Sequence, residues 1–433
     1  MAALDMSFVA TGDSFITCRL PSPKGDGFHG VHAIIRQADV RFTNLEVTVH
    51  DFEGPPFAFS GGTWSIAPPA VLQDIAAYGF NLLNIANNHT LDYSYGGLEA
   101  TERYLKEYDF VYAGAGANMA RASEPRYLST PAGRVALIAA TSTYYEAWIA
   151  GEQRNDIAGR PGVNPLRHSA LHMITAKQMK HLREIARDTD INAMNNLNYR
   201  EGFAVPPPAH QFQFGKHLFA VGDNVGKVTK PHPKDMQRII AAISQARRQA
   251  AEVLVSIHSH EFKGEDKSQP ADFLVEFARE CIDAGASAVL GHGPHILRAV
   301  EIYRGRPIFY SLGNFIFQTD LVSHLPADFY DKYDLGPLAN TADAFDARSK
   351  NNSIGLGVNP HVWESVLASW KMKDGKLAEL YFHPISLGFG LPRHRRGWPE
   401  LSNDTGVLQR LAQLSEPFGT EIKIEANVGK VAL

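Results

Sequence analysis

The sequence has little cysteine, no long apolar run and no excess of positive charge. Among its 433 residues the only cysteines are Cys18 and Cys281, which lie far apart and outside any Cys-x-x-Cys spacing. This excludes a disulfide framework and a cysteine metal site. We predict two reduced cysteines in or near the core.

The chain also lacks the patterns of a membrane or secreted protein. No apolar stretch approaches the roughly 20 residues of a membrane span. The N-terminus leads almost directly into strand-like sequence at Ser7–Ala10, without the successive regions of a signal peptide. We predict a soluble, cytoplasmic protein with no membrane span, although a leader removed before residue 1 would leave the same pattern.

Positive charge is scarce and scattered. The net charge is −4, and the run 393–396 is the only dense basic cluster. Nucleic acid is therefore not expected as a partner, because phosphate binding usually needs a basic face. The cluster is more typical of a solvated loop.

Composition and apolar patterning indicate a layered α/β protein. The chain is 44% hydrophobic and 20% charged, which is typical of globular proteins. Strand-like stretches alternate with helical ones. Predicted strands include Ser7–Ala10, Val40–Thr43, Leu82–Ala86, Val253–Ile257, Ala288–Leu290 and Arg306–Tyr310. Predicted helices include Phe28–Gln37, Pro69–Tyr78, Tyr95–Tyr108, Thr175–Asp188, Lys234–Ala250, Asp272–Ala284 and Gly406–Ser415.

Two long segments have no clear period. Asn192–Pro233 is mixed and contains three consecutive prolines; a loop of that length is usually a functional lid or mobile. Tyr330–Asn359 is polar and irregular. After it, Val362–Met372 and Leu377–His383 predict an antiparallel hairpin.

Metal-competent side chains recur where predicted strands end. They are Asp13, Glu46, Asn88, His89, His258 and His292. Ligands gather at the carboxyl ends of strands in α/β sheets, and carboxylates, amide oxygens and neutral imidazoles bind hydrolytic divalent metals. The pattern predicts a site for one or two ions of Mn, Fe or Zn.

Each element alone has a simpler interpretation. Gly12-Asp13 and Asn88-His89 each fit a turn, and Glu46 fits a helix cap or the surface. The loop from Gly291 to His295 is the strongest single element, because its glycines and proline can present two imidazoles to one point. The joint pattern favours the metal site.

The motifs together resemble a known family. They are Thr11-Gly12-Asp13, Asn44-Leu45-Glu46, Ala86-Asn87-Asn88-His89, Gly159-Arg160-Pro161-Gly162-Val163-Asn164, Gly291-His292-Gly293-Pro294-His295 and Ser311-Leu312-Gly313-Asn314-Phe315. Over Met6–Phe317 the chain resembles the CapA family of bacterial capsule or poly-γ-glutamate synthesis proteins. That family belongs to the calcineurin-like metallophosphoesterase superfamily.

The resemblance implies an α/β fold of the calcineurin-like metallophosphatase type. This is a four-layer αββα sandwich with two mixed β-sheets, loop insertions and a C-terminal β-rich extension. We predict one domain over residues 1–385, with core motifs at 6–317 and a lid or insertion at 192–233. Residues 386–433 are predicted to be an extension packed on the same domain.

The resemblance also implies a role for each site residue. Asp13 and His295 would bind a first metal, and Glu46 would bridge. Asn88, His258 and His292 would complete a second metal. His89 and Asp13 would be the catalytic residues. His89 would protonate the leaving group or stabilise developing charge.

Two departures from the superfamily pattern put the first metal position in doubt. Its Asp-x-His motif is Asp13-Ser14-Phe15 here, and its bridging aspartate is Glu46. His260 and Glu261 are extra ligand candidates that would compensate for the missing histidine.

Substrate binding is assigned to four polar residues. Arg160 and Arg167 flank a loop rich in Gly, Pro and Asn, and arginine suits carboxylate or phosphate; a structural role is equally compatible. Asn44 and Asn314 are the other two candidates.

These features predict a metal-dependent hydrolase of an amide bond, γ-glutamyl or peptide-like, or of a phosphoester bond. The expected substrate is an anionic small molecule or polymer, and a homo-oligomer is compatible with the sequence. The alternative is a non-catalytic CapA-like binding or assembly protein of poly-γ-glutamate or capsule metabolism.

Overall fold

Strands and helices alternate along most of the chain, in a computed structural model that describes residues 5–21 and 24–433. The strands are β1 (Asp5–Phe15), β2 (Val40–Leu45), β3 (Thr48–Val49), β4 (Ile66–Ala67), β5 (Leu82–Asn84), β6 (Val111–Ala113), β7 (Ala115–Gly116), β8 (Arg126–Thr130), β9 (Gly133–Thr141), β10 (Gly162–Val163), β11 (His168–Ile174), β12 (Gln211–Phe214), β13 (His217–Val221), β14 (Gly226–Pro231), β15 (Glu252–His258), β16 (Ala288–His292), β17 (Val300–Tyr303), β18 (Arg306–Phe309), β19 (Asn314–Phe317), β20 (Glu364–Lys373), β21 (Lys376–Ser386), β22 (Glu400–Leu401), β23 (Ile422–Glu425) and β24 (Val428–Val431). The α-helices are α1 (Asp26–Ile35), α2 (Val71–Tyr78), α3 (Ser94–Glu107), α4 (Met119–Ser123), α5 (Ala176–Asp188), α6 (Ala193–Glu201), α7 (Pro233–Ala246), α8 (Asp272–Asp283), α9 (Ala327–Asp331), α10 (Thr341–Ser349) and α11 (Gly406–Ser415).

Two large mixed sheets carry the fold. The ten-stranded sheet has the order β23-β24-β21-β20-β1-β2-β5-β6, with β19 beside β1 and β22 beside β21. Its β1, β2, β5, β6 and β19 are parallel, and β20 is antiparallel to β1. The six-stranded sheet has the order β17-β18-β16-β15-β9-β8, with four parallel strands between two antiparallel edges.

The sheets share one buried interface. Phe8 and Leu82 of the ten-stranded sheet belong to the same buried cluster as Leu137 and Leu290 of the six-stranded sheet. Residues of α1, α2 and α3 cover the outer face of the first sheet, and residues of α7 and α8 cover that of the second. The strands of the parallel region are therefore covered on both faces, which explains their continuous apolar runs. The predicted α/β fold with mixed sheets is confirmed.

The segment 192–233 is ordered, so the prediction of an irregular loop there is wrong. It forms α6, β12, β13 and β14, and with β11 it makes a four-stranded sheet of order β12-β13-β11-β14. Thr229 Oγ1 accepts a hydrogen bond of 3.1 Å from the backbone of Phe273, at the start of α8. The strands are short and half-exposed, so their apolar period is weak. A lid function stays a prediction.

The segment 330–359 also contains a helix that the sequence pattern did not predict. Asn340 and Asp343 form a capping box at the N-terminus of α10. Only Ala344 and Phe345 of this helix are buried. With two buried side chains the helix carries too little apolar periodicity to be recognised.

The C-terminal elements agree with prediction. The expected hairpin is β20–β21 and the helix Gly406–Ser415 is α11; a further hairpin, β23–β24, follows it. Strands β22 and β24 pair with β21, so this part of the chain extends the ten-stranded sheet. The domain boundaries stay predictions.

The two cysteines are unpaired, as the sequence analysis predicts. Both cysteines are free; Cys281 is buried and Cys18 half-buried. Across the described residues, no helix has the length and apolar character needed to cross a bilayer. Cytoplasmic location and oligomeric state stay predictions.

We expect the inter-sheet interface to dominate stability. Leu290 is fully buried there, whereas Leu338 is 97% exposed. Leu290→Ala should lower the free energy of unfolding by about 2–5 kcal/mol, because it leaves a cavity between the sheets. Urea denaturation followed by circular dichroism measures this, with Leu338→Ala as the matched control. Equal stability of the two variants would contradict the packing described.

Candidate metal centre

The ends of four strands from two sheets converge on one buried point. Asp13 lies on β1, and Glu46 directly follows β2. His258 and His292 end β15 and β16, which are parallel and in register at these residues. The structure therefore brings together four of the side chains that the sequence analysis placed at strand ends.

A first group consists of Asp13, His258 and His292, all fully buried. Nδ1 of His258 lies 3.8 Å and Nδ1 of His292 3.6 Å from Asp13 Oδ1. The two Nδ1 atoms are 2.9 Å apart. One ligand atom from each residue lies within 4.8 Å of the others, so the three side chains can hold one ion.

A second group consists of Glu46, His260 and His295. Glu46 lies between the two groups, with Oε1 3.6 Å from His258 Nε2 and Oε2 3.8 Å from His295 Nδ1. His260 Nε2 lies 3.1 Å from His258 Nε2. A carboxylate with one oxygen towards each group fits a bridging position between two ions.

Three buried oxygen atoms at the centre have no hydrogen-bond partner among the described residues. These are Oε1 and Oε2 of Glu46 and Oδ1 of Asn88. Buried carboxylate oxygens without a partner are costly, and native proteins pair them or place them on a metal. The donor set therefore fits a divalent cation.

Burial sets the ionisation of the whole cluster. It raises the pKa of Asp13 to about 7 and that of Glu46 well above its ordinary value. It lowers the pKa of His292 and His295 to about 3, and for His295 the charges of Lys267, His89 and Arg348 act in the same direction. Neutral imidazole is the form that binds metal, and a bound cation would favour the charged carboxylates.

Two asparagines predicted to bind substrate are fully buried and position ligand candidates instead. Asn44 donates from Nδ2 to Asp13 Oδ1 at 2.7 Å. Asn314 Oδ1 accepts from His295 Nδ1 at 2.9 Å, and its Nδ2 donates to the carbonyl of Val362 at 2.8 Å. Substrate contact by either residue stays a prediction.

His89 is paired with a carboxylate that the sequence analysis missed. Its Nδ1 lies 2.6 Å from Asp92 Oδ2. Asp92 is fully buried and also accepts from the backbone of Gly61 at 3.1 Å and of Ser65 at 2.7 Å. The carboxylate fixes the ring so that Nε2 is the free nitrogen. The spacing of three residues between His89 and Asp92 was the available signal.

Of the two extra ligand candidates, the structure brings only one into the centre. His260 belongs to the second group. The carboxylate of Glu261 accepts hydrogen bonds from Ser142 Oγ at 2.6 Å, Thr143 Oγ1 at 3.1 Å and Ser259 Oγ at 3.0 Å. These hydroxyls satisfy Glu261 outside both groups.

The two arginines predicted to bind substrate have protein partners. Arg160 donates to the carbonyl of Ile149 at 3.0 Å. Arg167 makes two bonds of 2.8 Å to the buried carboxylate of Asp235. Their part in substrate binding stays a prediction, and the structure gives each a supporting role.

Comparisons with known proteins confirm the family resemblance found in the sequence. Residues 8–319 match the family model described as bacterial capsule synthesis protein PGA_cap. The chain is 35% identical, over 99% of its length and 93% of the relative, to the uncharacterized protein y4sH of Sinorhizobium fredii. It is 33% identical, over 34% of its length and 40% of the relative, to the PGA biosynthesis protein CapA of Bacillus subtilis. It is 26% identical, over 58% of its length and 43% of the relative, to the capsule biosynthesis protein CapA of Bacillus anthracis.

The geometry predicts that the purified protein binds Mn, Fe or Zn. His258→Ala should lose most of this metal, because His258 contacts both groups. The exposed His217 gives a matched control, and His217→Ala should keep the metal content of the wild type. Inductively coupled plasma mass spectrometry of dialysed protein measures it. Equal metal in both variants would rule out His258 as a ligand.

Proposed function

Because the chain belongs to the bacterial capsule synthesis protein family PGA_cap, we propose that it is a metal-dependent hydrolase of γ-glutamyl amide bonds. The observation that carries the proposal is the position of Glu46 between two ligand groups, with both carboxylate oxygens unpartnered. Two ions held about 3.5–4 Å apart are typical of hydrolytic centres.

The residues present divide into two ligand sets. Asp13, His258 and His292 would hold one ion, and His260 and His295 the other, with Glu46 shared between them. Divalent ions bound there would polarise the scissile carbonyl and lower the pKa of water. Asn88 Oδ1 is an additional oxygen donor.

His89 serves as the general acid in this proposal. Asp92 accepts from Nδ1, so Nε2 faces away from Asp92 and can carry the proton that is donated. Cleavage of an amide expels a poor leaving group, and the proton of Nε2 passes to its nitrogen as the C–N bond breaks. Asp92 therefore acts by positioning His89.

We further propose that the fold is the four-layer calcineurin-like sandwich over residues 1–385, with 386–433 as an extension of its first sheet. The order helices, sheet, sheet, helices supports this. The ring of Phe15 stands where the superfamily has a histidine ligand, and it lies edge-on to His89 at 5.1 Å. His260 supplies a ring to the second group in its place.

The choice of an amide bond over a phosphoester bond rests on the names of relatives. Those of Bacillus subtilis and Bacillus anthracis are described as PGA and capsule biosynthesis proteins. A relative from Mycobacterium tuberculosis is described as a probable polyglutamine synthesis accessory protein. All three names fit an anionic or amide-linked glutamyl polymer, and the last also fits a non-catalytic role.

A substrate panel separates these functions. With metal bound, the protein should hydrolyse γ-glutamyl amides and leave phosphodiesters intact. His89→Ala should lower the rate by about 10²–10⁴-fold, because the leaving nitrogen loses its acid, while His217→Ala keeps full activity. Turnover of phosphodiesters would instead indicate a phosphoesterase. If the metal-bound protein hydrolysed neither γ-glutamyl amides nor phosphodiesters, the non-catalytic role would be favoured.

Gly61 offers a second test of the same site. A Cβ at this position would lie 2.6 Å from Asn88 Nδ2 and 2.8 Å from His89 Cε1. Gly61→Ala should therefore lower kcat by displacing both side chains. Gly25→Ala is the control, since within residues 5–21 and 24–433, its two chain neighbours aside, no atom lies within 4 Å of a Cβ there. Steady-state kinetics measures both, and unchanged kcat in Gly61→Ala would contradict the placement of His89 beside the reacting bond.

A further inference from the structure

A helix beyond the residues that match the family model reaches the loop beside His89. The match ends at residue 319, and α10 comes later in the chain. Arg348, in the last turn of α10, donates from Nη1 to the carbonyl of Gly62 at 3.4 Å and to the hydroxyl of Thr63. A cation from this segment is thus fixed to the loop 61–63.

The loop 61–63 forms one wall of the metal centre. The carbonyl of Gly61 accepts from Asn88 Nδ2 at 3.1 Å, and its N–H donates to Asp92 Oδ1 at 3.1 Å. Gly61 therefore contacts a ligand candidate on one side and the partner of His89 on the other. Arg348 contacts the same loop at Gly62 and Thr63.

Helix α10 is firmly held over the loop. Phe345 packs against Phe329 with ring centroids 5.9 Å apart, and Phe329 packs against Trp64 at 6.5 Å. On the exposed side, Asp346 pairs with Arg393 at 2.8 Å. The position of the Arg348 side chain is thus set by packing on both sides of it.

The guanidinium of Arg348 has more N–H groups than it has acceptors among the described residues. Its two acceptors are neutral oxygens, whereas a guanidinium carries five N–H groups. Gly62 is exposed, and no atom lies within 4 Å of the position that a Cβ would take there. An anion entering beside Gly62 would meet an unneutralised charge.

A second cation lies on the opposite loop of the centre. Lys267 donates from Nζ to the carbonyl of Pro294 at 3.2 Å, next to His295. It is half-buried, and in the described part of the chain neither Lys267 nor Arg348 is paired with a carboxylate. Each cation is thus hydrogen-bonded to a loop that contacts the metal centre, Lys267 at Pro294 and Arg348 at Gly62 and Thr63.

We propose that Arg348 and Lys267 bind a carboxylate of the substrate beside the bond that is cleaved. This rests on the proposed function and names its substrate class: γ-glutamyl chains whose α-carboxylates are free. A γ-amide linkage leaves one α-carboxylate next to every scissile bond, and an arginine fork suits a carboxylate. The two cations take the role that the sequence analysis gave to Arg160 and Arg167.

Equilibrium binding tests this without turnover. The probes are a γ-linked tetraglutamate and the same chain with α-carboxamides, titrated calorimetrically into the metal-loaded wild type, Arg348→Ala and Arg348→Lys. Arg348→Ala should weaken binding of the acid about 10–100-fold and leave the carboxamide unchanged, while Arg348→Lys recovers part of the loss. Arg395→Ala, which removes an exposed arginine, should bind the acid like the wild type.

Three results would overturn the proposal. The first is equal affinity of the wild type for the acid and the carboxamide. The second is an equal loss of affinity for both probes in Arg348→Ala. The third is a loss of affinity for the acid in Arg395→Ala as large as that in Arg348→Ala. The second result would mean that Arg348 only supports the loop. Failure of the hydrolase proposal looks different: selective binding of the acid would persist without cleavage. Cleavage without preference for the acid would contradict only the carboxylate site.

Discussion

Two carboxylates withdrawn from water impose the main constraint on this protein. Asp13 and Glu46 are fully buried, 3.6–3.8 Å from uncharged imidazoles, and burial raises the pKa of both. The surrounding amides only partly relieve this cost, since Asn44 and the backbone of Gly293 bond to Asp13 while both oxygens of Glu46 stay unpartnered. Cations are the remaining source of compensation, and for this reason we place metal at the centre of the function.

The sheet topology brings these polar side chains close together. Strand β1 is paired with β2 on one side and β19 on the other, so Asp13 lies beside Asn44 and Asn314 in register. A Cβ on Gly12 would collide with the carbonyl of Gly313, and only glycine allows the strands to approach so closely. Backbone pairing thus fixes the strands that carry Asp13, Asn44 and Asn314.

The sequence analysis identified the candidate ligands at strand ends, because the end of a strand can be recognised from the residues next to it in the sequence. Asp13, His258 and His292 were identified in this way, and the structure brings them together. Contacts between distant segments leave no such signal: Arg348 meets Thr63 across 285 positions. The helix that carries Arg348 also has too few buried residues to show a period. The small sheet that β12, β13 and β14 form with β11 was missed for the same reason, because its half-exposed strands do not alternate strongly.

On the proposed superfamily assignment, the loss of one ligand would change how the two metal positions depend on each other. That pattern has a histidine in its first motif, on the strand that carries Asp13, whereas Phe15 stands there in this chain and packs against His89. On the proposed assignment His260 takes over, two residues beyond His258 and in contact with it at 3.1 Å. Both positions then depend on the end of β15, where Arg298, fully buried, donates to the carbonyls of Ser259 and His260. The two ions would therefore be gained and lost together, since the same backbone turn orients a ligand of each.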